Sequence, residues 1–259
     1  MATSDSFCDR LQHAPKGLGK LLHNPPSLKI LKSLSPGASV LDIGCSGFRQ
    51  RRICILNGRS DLYHYGVDHP NSRTGEIPQG FTFKHCNIDT EKLPFEDDKF
   101  DMVVGSHVIE HLANPLFFFS ESIRVCKPGG WVSIEAPSEV SVMLPGFPFQ
   151  RDGFYSTSFF DDPTHIGRPW TTQAFYRLAK AFDLSSIHVS KDFNIFALLS
   201  LPIVLPILFV LGQGRLFQYT VWKAVGWNAR LVAQKPICAT GKIDFSYILP
   251  TSEATQKQD

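Results

Sequence analysis

The 259-residue sequence has no C-x-x-C pair among its six cysteines and no cysteine–histidine spacing of the kind that holds zinc. Cys8, Cys45, Cys54, Cys86, Cys126 and Cys238 therefore read as reduced thiols of a cytoplasmic protein. Surplus charge of one sign is also missing. Lys and Arg number 26 against 24 Asp and Glu, a formal net charge of +2, which is no electrostatic footprint for nucleic acid. The first twenty residues carry Asp5, Asp9, Arg10 and Lys16 and no apolar run, so no secretion leader is expected. There is no internal repeat, no low-complexity tract and no G-x-G-x-x-G, and the last of these absences disfavours a dinucleotide site. What is abundant is apolar material. Hydrophobic residues make up 43% of the chain, with 21 phenylalanines, enough to bury a core and to exclude whole-chain disorder.

Along the first half, strand-like and helix-like segments alternate. Leu28, Ile30, Leu31 and Leu34 space a short amphipathic helix over 27–34, ended by Ser35-Pro36-Gly37. Apolar runs at 38–43, 63–67, 81–86, 100–104 and 131–134 read as strands. A helix is expected over 116–126 and a turn at Lys127-Pro128-Gly129-Gly130. Later come a helix over 171–182 capped by Thr171 or Thr172, a strand over 185–189 and a strand over 230–233. Strands separated by helices argue for parallel βαβ units in a covered sheet. The polar tail from Thr251 reads as disordered.

Two short patterns carry chemistry. In Val40-Leu41-Asp42-Ile43-Gly44-Cys45-Ser46-Gly47 a strand runs into a glycine turn, where backbone can approach a ligand and N–H groups favour an anionic group. In Gly66-Val67-Asp68, 26 residues after Asp42, an acid at a strand end can accept both hydroxyls of a ribose. Each alone is equally a tight turn and a surface acid.

The joint order is more specific: D-I-G-C-S-G, then G-V-D, Asn87-Ile88-Asp89-Thr90, Phe100-Asp101-Met102-Val103-Val104, His107-Val108-Ile109-Glu110-His111-Leu112 and Cys126-Lys127-Pro128-Gly129-Gly130. From Leu28 to Ile134 this resembles the class I S-adenosylmethionine (SAM)-dependent methyltransferases, in particular the methyltransferase-11-like group. The resemblance implies an α/β, Rossmann-like sheet of seven strands in the order 3-2-1-4-5-7-6 with the last strand antiparallel. It implies SAM as cofactor. Asp42, Gly44, Cys45 and Ser46 would meet its methionine end, Asp68 its ribose, Asp89 and Thr90 its adenine, and Gly105 and Ser106 would lie beside the methyl donor. The family usually reads D-x-G-C-G-x-G, so Ser46 and Phe48 replace two glycines. Ser46 keeps the turn if its φ is negative. Phe48 adds bulk, so either SAM binding weakens or the loop shifts by a residue and uses Gly47.

A SAM enzyme acting on oxygen must place the acceptor and remove a proton, and histidine is the usual base near neutral pH. His107 and His165 are the candidates. H-x-x-E-H is also a protease string, discounted here because it follows a Rossmann-like strand. In ubiquinone-type O-methyltransferases a similar E-x-x-E-H segment is associated with a divalent metal. Here His107 stands for the first Glu; a metal on the trio His107, Glu110 and His111 is the lesser reading, and the expectation is no metal, with Glu110-His111 ordering the loop and helix start. Asp162-Pro163-Thr164-His165 resembles a stretch of glycan-associated members of the group. Arg168 nearby suits an anionic group or a surface salt bridge.

The stretch from Phe193 to Gly214 carries no charge and is about as long as the ~20 residues that span a bilayer. Pro202 and Pro206 argue against one straight helix. If strands 6 and 7 flank it in one sheet, both ends lie on one side, which forbids a single crossing and allows a hairpin. Phe217, Tyr219, Trp222 and Trp227, interspersed with Arg215, Lys223 and Arg230, suit a membrane interface, a homodimer contact or a lid being the other readings. The organisation expected is an N-terminal extension (1–24), a methyltransferase domain (25–236) with an apolar insertion (193–228), and a tail (237–259). The function expected is SAM-dependent O-methylation of a glycan, lipid-linked or other small acceptor, on or near a membrane surface. The rivals are a catalytically silent SAM-binding partner and a C- or N-methyltransferase of a soluble metabolite.

Overall fold

The computed structural model describes residues 26–72, 75–147, 157–238 and 243–247. The N-terminal extension and the chain from Thr251 lie outside them. Seven strands form one sheet: β1 (Ser39–Ile43), β2 (Tyr63–Asp68), β3 (Phe81–His85), β4 (Phe100–Ser106), β5 (Cys126–Pro137), β6 (Ser185–Lys191) and β7 (Asn228–Gln234). Their order is β3-β2-β1-β4-β5-β7-β6. The pairs β3–β2, β2–β1, β1–β4 and β4–β5 are parallel, and β7 runs antiparallel to both β5 and β6. The strand order reverses between β1 and β4, and in open α/β sheets a ligand crevice opens outside the carboxyl ends at such a point.

Among the described residues six α-helices accompany the sheet: α1 (Pro26–Ser33), α2 (Arg49–Leu56), α3 (Pro115–Val125), α4 (Thr172–Ala181), α5 (Ile195–Val210) and α6 (Gly214–Val225). Period-two alternation sorts the strand side chains. Leu41, Ile43, Val67 and Val103 join Phe118 and Phe119 of α3 and Phe175 and Leu178 of α4 in the larger core. Val40, Met102 and Val104 face the other way, against Leu31 of α1 and Cys54 of α2. Thr171 caps α4 by accepting a hydrogen bond from Ala174 N at 2.9 Å. Asn114 caps α3 in the same way, through Phe117 N.

Two local expectations change. Lys127-Pro128-Gly129-Gly130 is not a separate turn. Cys126 already pairs with Phe100, and a register shift between Phe100 and Met102 absorbs the extra residues inside one strand. Gly129, at φ 77°, holds this bulge in the ladder, donating to Lys235 O at 2.8 Å. Nor do the prolines stop α5, which runs unbroken from Ile195 to Val210 through Pro202 and Pro206. Only Ala197 of that helix is buried, so the carbonyls left without an N–H partner lie on a surface element.

Cys45, Cys54, Cys86 and Cys126 are buried free thiols and Cys238 is exposed and free. Burial pushes the Cys54 and Cys126 thiols up to about 12, so they are packing residues rather than nucleophiles. Part of the tail returns to the domain: Asp244 N donates to Ala181 O at 2.7 Å, and Arg177 Nε donates to Tyr247 O at 2.6 Å.

Candidate active site

Residues two apart face one cavity at the carboxyl ends of the central strands: Asp42 on β1 and Gly44 just after it, Val104 and Ser106 on β4, Ser133 and Glu135 on β5. They line a cavity of about 170 Å³, closed by Ser27 of α1, by Ser46, and by Arg49, Gln50 and Ile53 of α2. Gly105 and His107 complete its wall. The cavity sits at the switch point between β1 and β4.

The turn after β1 is shaped by glycine. Gly44 has φ 72°, and a Cβ there would stand 2.4 Å from Val108 Cγ2. The amides of Gly44 and Cys45 both donate to Val67 O, at 2.9 and 3.2 Å, so these two N–H groups tie β1 to β2 rather than pointing at a ligand. Ser46 faces the cavity, and it is not among the residues with positive φ. Gly47 takes that conformation at φ 71°, and Phe48 follows at φ 50°. The Phe48 ring turns away from the cavity into a small cluster with Cys45 and Phe81, edge to face with Phe81 at 4.8 Å. Its bulk is absorbed by packing, at the left-handed backbone cost of roughly 1–2 kcal/mol.

Asp42 is buried, 8% exposed. Burial pushes its carboxyl up to about 7, against the lowering influence of Arg49, and the charge of Asp68 adds to the rise. Asp68 is buried too. Its Oδ1 accepts from His69 N at 2.8 Å, while its Oδ2 has no partner. An orphaned buried acceptor of this kind costs about 1–3 kcal/mol until a donor meets it. Asp89 is placed differently. Its two oxygens accept from Ala113 N at 3.1 Å and Asn114 N at 2.7 Å, at the start of α3, and it does not line the cavity. Thr90 beside it is exposed.

His107 ends β4 in a left-handed conformation, φ 57°. Its Nδ1 is 3.2 Å from Glu110 Oε1 and its Nε2 is 3.7 Å from Glu135 Oε1. Burial works against its charge, but the two carboxylates prevail and lift it to about 9. His107 is thus an imidazolium at neutral pH, with no lone pair to accept a proton. Glu135 is held well below the usual carboxylate range: burial opposes this, but Arg230 and His107 outweigh it. Arg230 donates to Glu135 Oε2 at 2.7 Å and to Asp192 Oδ2 at 2.6 Å, and Lys223 of α6 pairs with the same Asp192. Acids and bases alternate through this network, so the buried charge balances.

This network corrects one expectation. Trp227, Lys223 and Arg230 are not at an interface with lipid but buried, each under 7% exposed. Trp222 and Trp227 stack at 4.0 Å between centroids, and the His107 ring lies 5.7 Å from Trp222. Glu135 and Asp192, the acids that hold Arg230, escaped the sequence reading. The available signal was Ser133 and Glu135 alternating with Val132 and Ile134 along an otherwise apolar strand.

His165 lies outside the cavity wall, on the loop before α4. Gly167 N donates to Glu110 O at 2.9 Å and fixes that loop against the β4–α3 connection. Arg168 places its guanidinium 5.1 Å over the Trp170 ring.

Residues 41–134 match a family model described as a methyltransferase domain. Over those residues the chain carries a methyltransferase domain, on a sheet with the strand order of the class I SAM-dependent fold. It is 46% identical over 111 residues to the biotin biosynthesis bifunctional protein BioHC of Teredinibacter turnerae, covering 39% of this chain and 20% of that protein. It is 34% identical over 100 residues to the ubiquinone biosynthesis O-methyltransferase of Maricaulis maris, covering 36% of this chain and 38% of that enzyme. The chain thus spans between a fifth and two fifths of the length of these curated relatives. In fold, this methyltransferase domain is similar to a SAM-dependent methyltransferase from Archaeoglobus fulgidus, with TM-score 0.56 at 17% identity over 90% of this chain and all of that one. The residues present suit SAM. Asp68 Oδ2 lacks a partner, and Gly44 leaves no room for a side chain against Val108.

Proposed function

We propose that the protein transfers the methyl group of SAM to an oxygen of a glycan, lipid-linked or other small acceptor. The observation that carries this reading is the cavity at the β1–β4 switch point, with Asp42, Gly44, Ser46, Gly105 and Ser106 in its wall. SAM supplies a methyl group on a sulfonium, and transfer to a hydroxyl releases S-adenosylhomocysteine and a proton. Asp42 would hold the cationic amino-acid end of the cofactor, and Asp68 Oδ2 would take a ribose hydroxyl. Of the two candidate histidines, His107 lines the cavity and is held as an imidazolium by its carboxylate neighbours, while His165 stands on the loop outside the cavity wall.

The insertion supports an acceptor at a lipid surface. α5 and α6 form a hairpin between β6 and β7, and no helix among the described residues is long and apolar enough to cross a membrane. The outer face of α5 is apolar throughout: Leu199 and Ile203 are 70% exposed and Val210 is 78%. An uncharged apolar stripe of this kind marks an interaction surface. The inward network from Lys223 to Glu135 would tie a docked hairpin to the cavity wall.

The experiment is methyl transfer from radiolabelled SAM to a total membrane extract, separated into chloroform–methanol-soluble and water-soluble fractions, alongside calorimetry with SAM and S-adenosylhomocysteine. Label in the organic fraction, lost in a Leu199→Glu/Ile203→Glu variant that still binds the cofactor, is the expected result. Label only in small water-soluble products would overturn the lipid-surface reading. Binding of neither cofactor form would overturn the enzymatic one.

A further inference from the structure

Behind the His107 wall the fold gathers three groups that sequence order separates. A carboxylate oxygen of Glu110 and one ring nitrogen each from His111 and His165 lie within 4.8 Å of one another. Glu110 is wholly buried, and its Oε2 has no hydrogen-bond partner, its Oε1 being the one that faces His107. The histidine rings are 4.8 Å apart between centroids.

The tautomers follow from the surroundings. His165 Nδ1 is 2.7 Å from Phe159 O, a pure acceptor, so Nδ1 carries the hydrogen. His111 Nδ1 is 3.1 Å from both Thr164 O and Thr164 Oγ1. The Thr164 hydroxyl donates to Asp162 Oδ1 at 2.6 Å, which leaves its oxygen as an acceptor toward His111. Both Nδ1 atoms are therefore donors, and both Nε2 atoms keep a lone pair. A ring N–H given to a backbone carbonyl is the usual outer support of a metal-binding histidine. Asp162 Oδ2, 3.8 Å from His165 Nε2, is a further carboxylate oxygen at the rim.

We infer that Glu110, His111 and His165 form a site for a first-row divalent cation. The donor set, two imidazoles and one carboxylate, suits Zn²⁺, Fe²⁺ or Co²⁺ rather than Ca²⁺ or Mg²⁺. At Zn–N distances near 2.0–2.1 Å, tetrahedral ligand atoms stand about 3.4 Å apart, so the group closes on an ion with shifts of about 1–1.5 Å. Three protein ligands leave positions open for water or for an acceptor oxygen. The proposed site departs from the expectation that no metal is held here. It also differs from a trio read along H-x-x-E-H, because His107 is occupied between two carboxylates and the third ligand comes from a loop 54 residues after His111. Contact between that loop and Glu110 is close enough that a Cβ at Gly167 would stand 3.0 Å from Glu110 O.

The test uses the full chain, stripped with EDTA and titrated with Co²⁺. One equivalent should bind and give visible d–d absorption, with Zn²⁺ displacing it. His165→Gln and His111→Gln should each weaken Co²⁺ at least 100-fold while S-adenosylhomocysteine affinity stays within threefold. X-ray absorption on the Zn²⁺-loaded wild-type chain should show two imidazoles with oxygen completing the shell, a readout independent of any variant's folding and of methyl transfer. Absence of stoichiometric Co²⁺ binding, unchanged affinity in both variants, or a sulfur ligand at about 2.3 Å pointing to Cys238 would each overturn the proposal.

Discussion

Replacing Asp42 by Asn should move stability and cofactor affinity in opposite directions. The carboxyl is buried and lifted from 3.8 to about 7. A raised value means that the folded chain prefers the neutral acid. The stabilising effect of that preference is complete below pH 3.8 and falls away as pH rises toward 7. At 1.36 kcal/mol per pH unit, holding Asp42 ionised at pH 8 costs the fold about 4 kcal/mol. Asn removes the charge and keeps the shape, so the variant's Tm at pH 8 should exceed the wild type's by roughly 5–10 °C. The advantage should fade toward pH 4. SAM affinity should fall, because a charge-assisted contact is worth about 1.5–3 kcal/mol, or roughly 10- to 150-fold. Below pH 7 the wild type should also lose SAM affinity, up to tenfold per pH unit, since binding must first remove the proton. Differential scanning calorimetry and titration calorimetry over pH 4–8 read both effects. An Asn variant less stable than wild type at pH 8, or one with unchanged SAM affinity, would refute the reasoning.

His107 gives the complementary pH dependence. Its folded value of about 9 lies above the usual 6.5, so the stability it confers is complete below pH 6.5 and lost as pH climbs through 9. Urea unfolding of the wild type should lose about 3 kcal/mol over that window, and His107→Gln should flatten the slope while leaving no missing limb near pH 7 in a rate profile. Phe48→Gly should relieve the left-handed strain but forfeit about 3–5 kcal/mol of ring burial, a net loss of a few kcal/mol in urea unfolding. SAM affinity should stay within threefold, because the ring does not line the cavity.

Local readings along the chain succeeded where the backbone itself sets the answer. The glycine turn at Gly44, the acid ending β2 at Asp68 and the alternation of strands with helices depend on residues near in sequence. So did the hairpin in the apolar insertion, because strands in one sheet force both its ends to one side. Readings failed where a side chain's neighbours are distant. Trp227, Lys223 and Arg230 looked like interface residues, and the Glu135–Arg230–Asp192 network draws them inward.

By itself, then, the sequence determined the alternation of strands and helices, the glycine turn after β1 and the acid ending β2, since periodicity and turns are local constraints, while the strand order was implied by the family resemblance its motifs carry. Only the tertiary structure decided the direction of the Phe48 ring, the charge on His107 and the meeting of His165 with Glu110. Burial and charge act through space: Glu135 reaches His107 from another strand, and a loop lying on Glu110 brings His165 beside it.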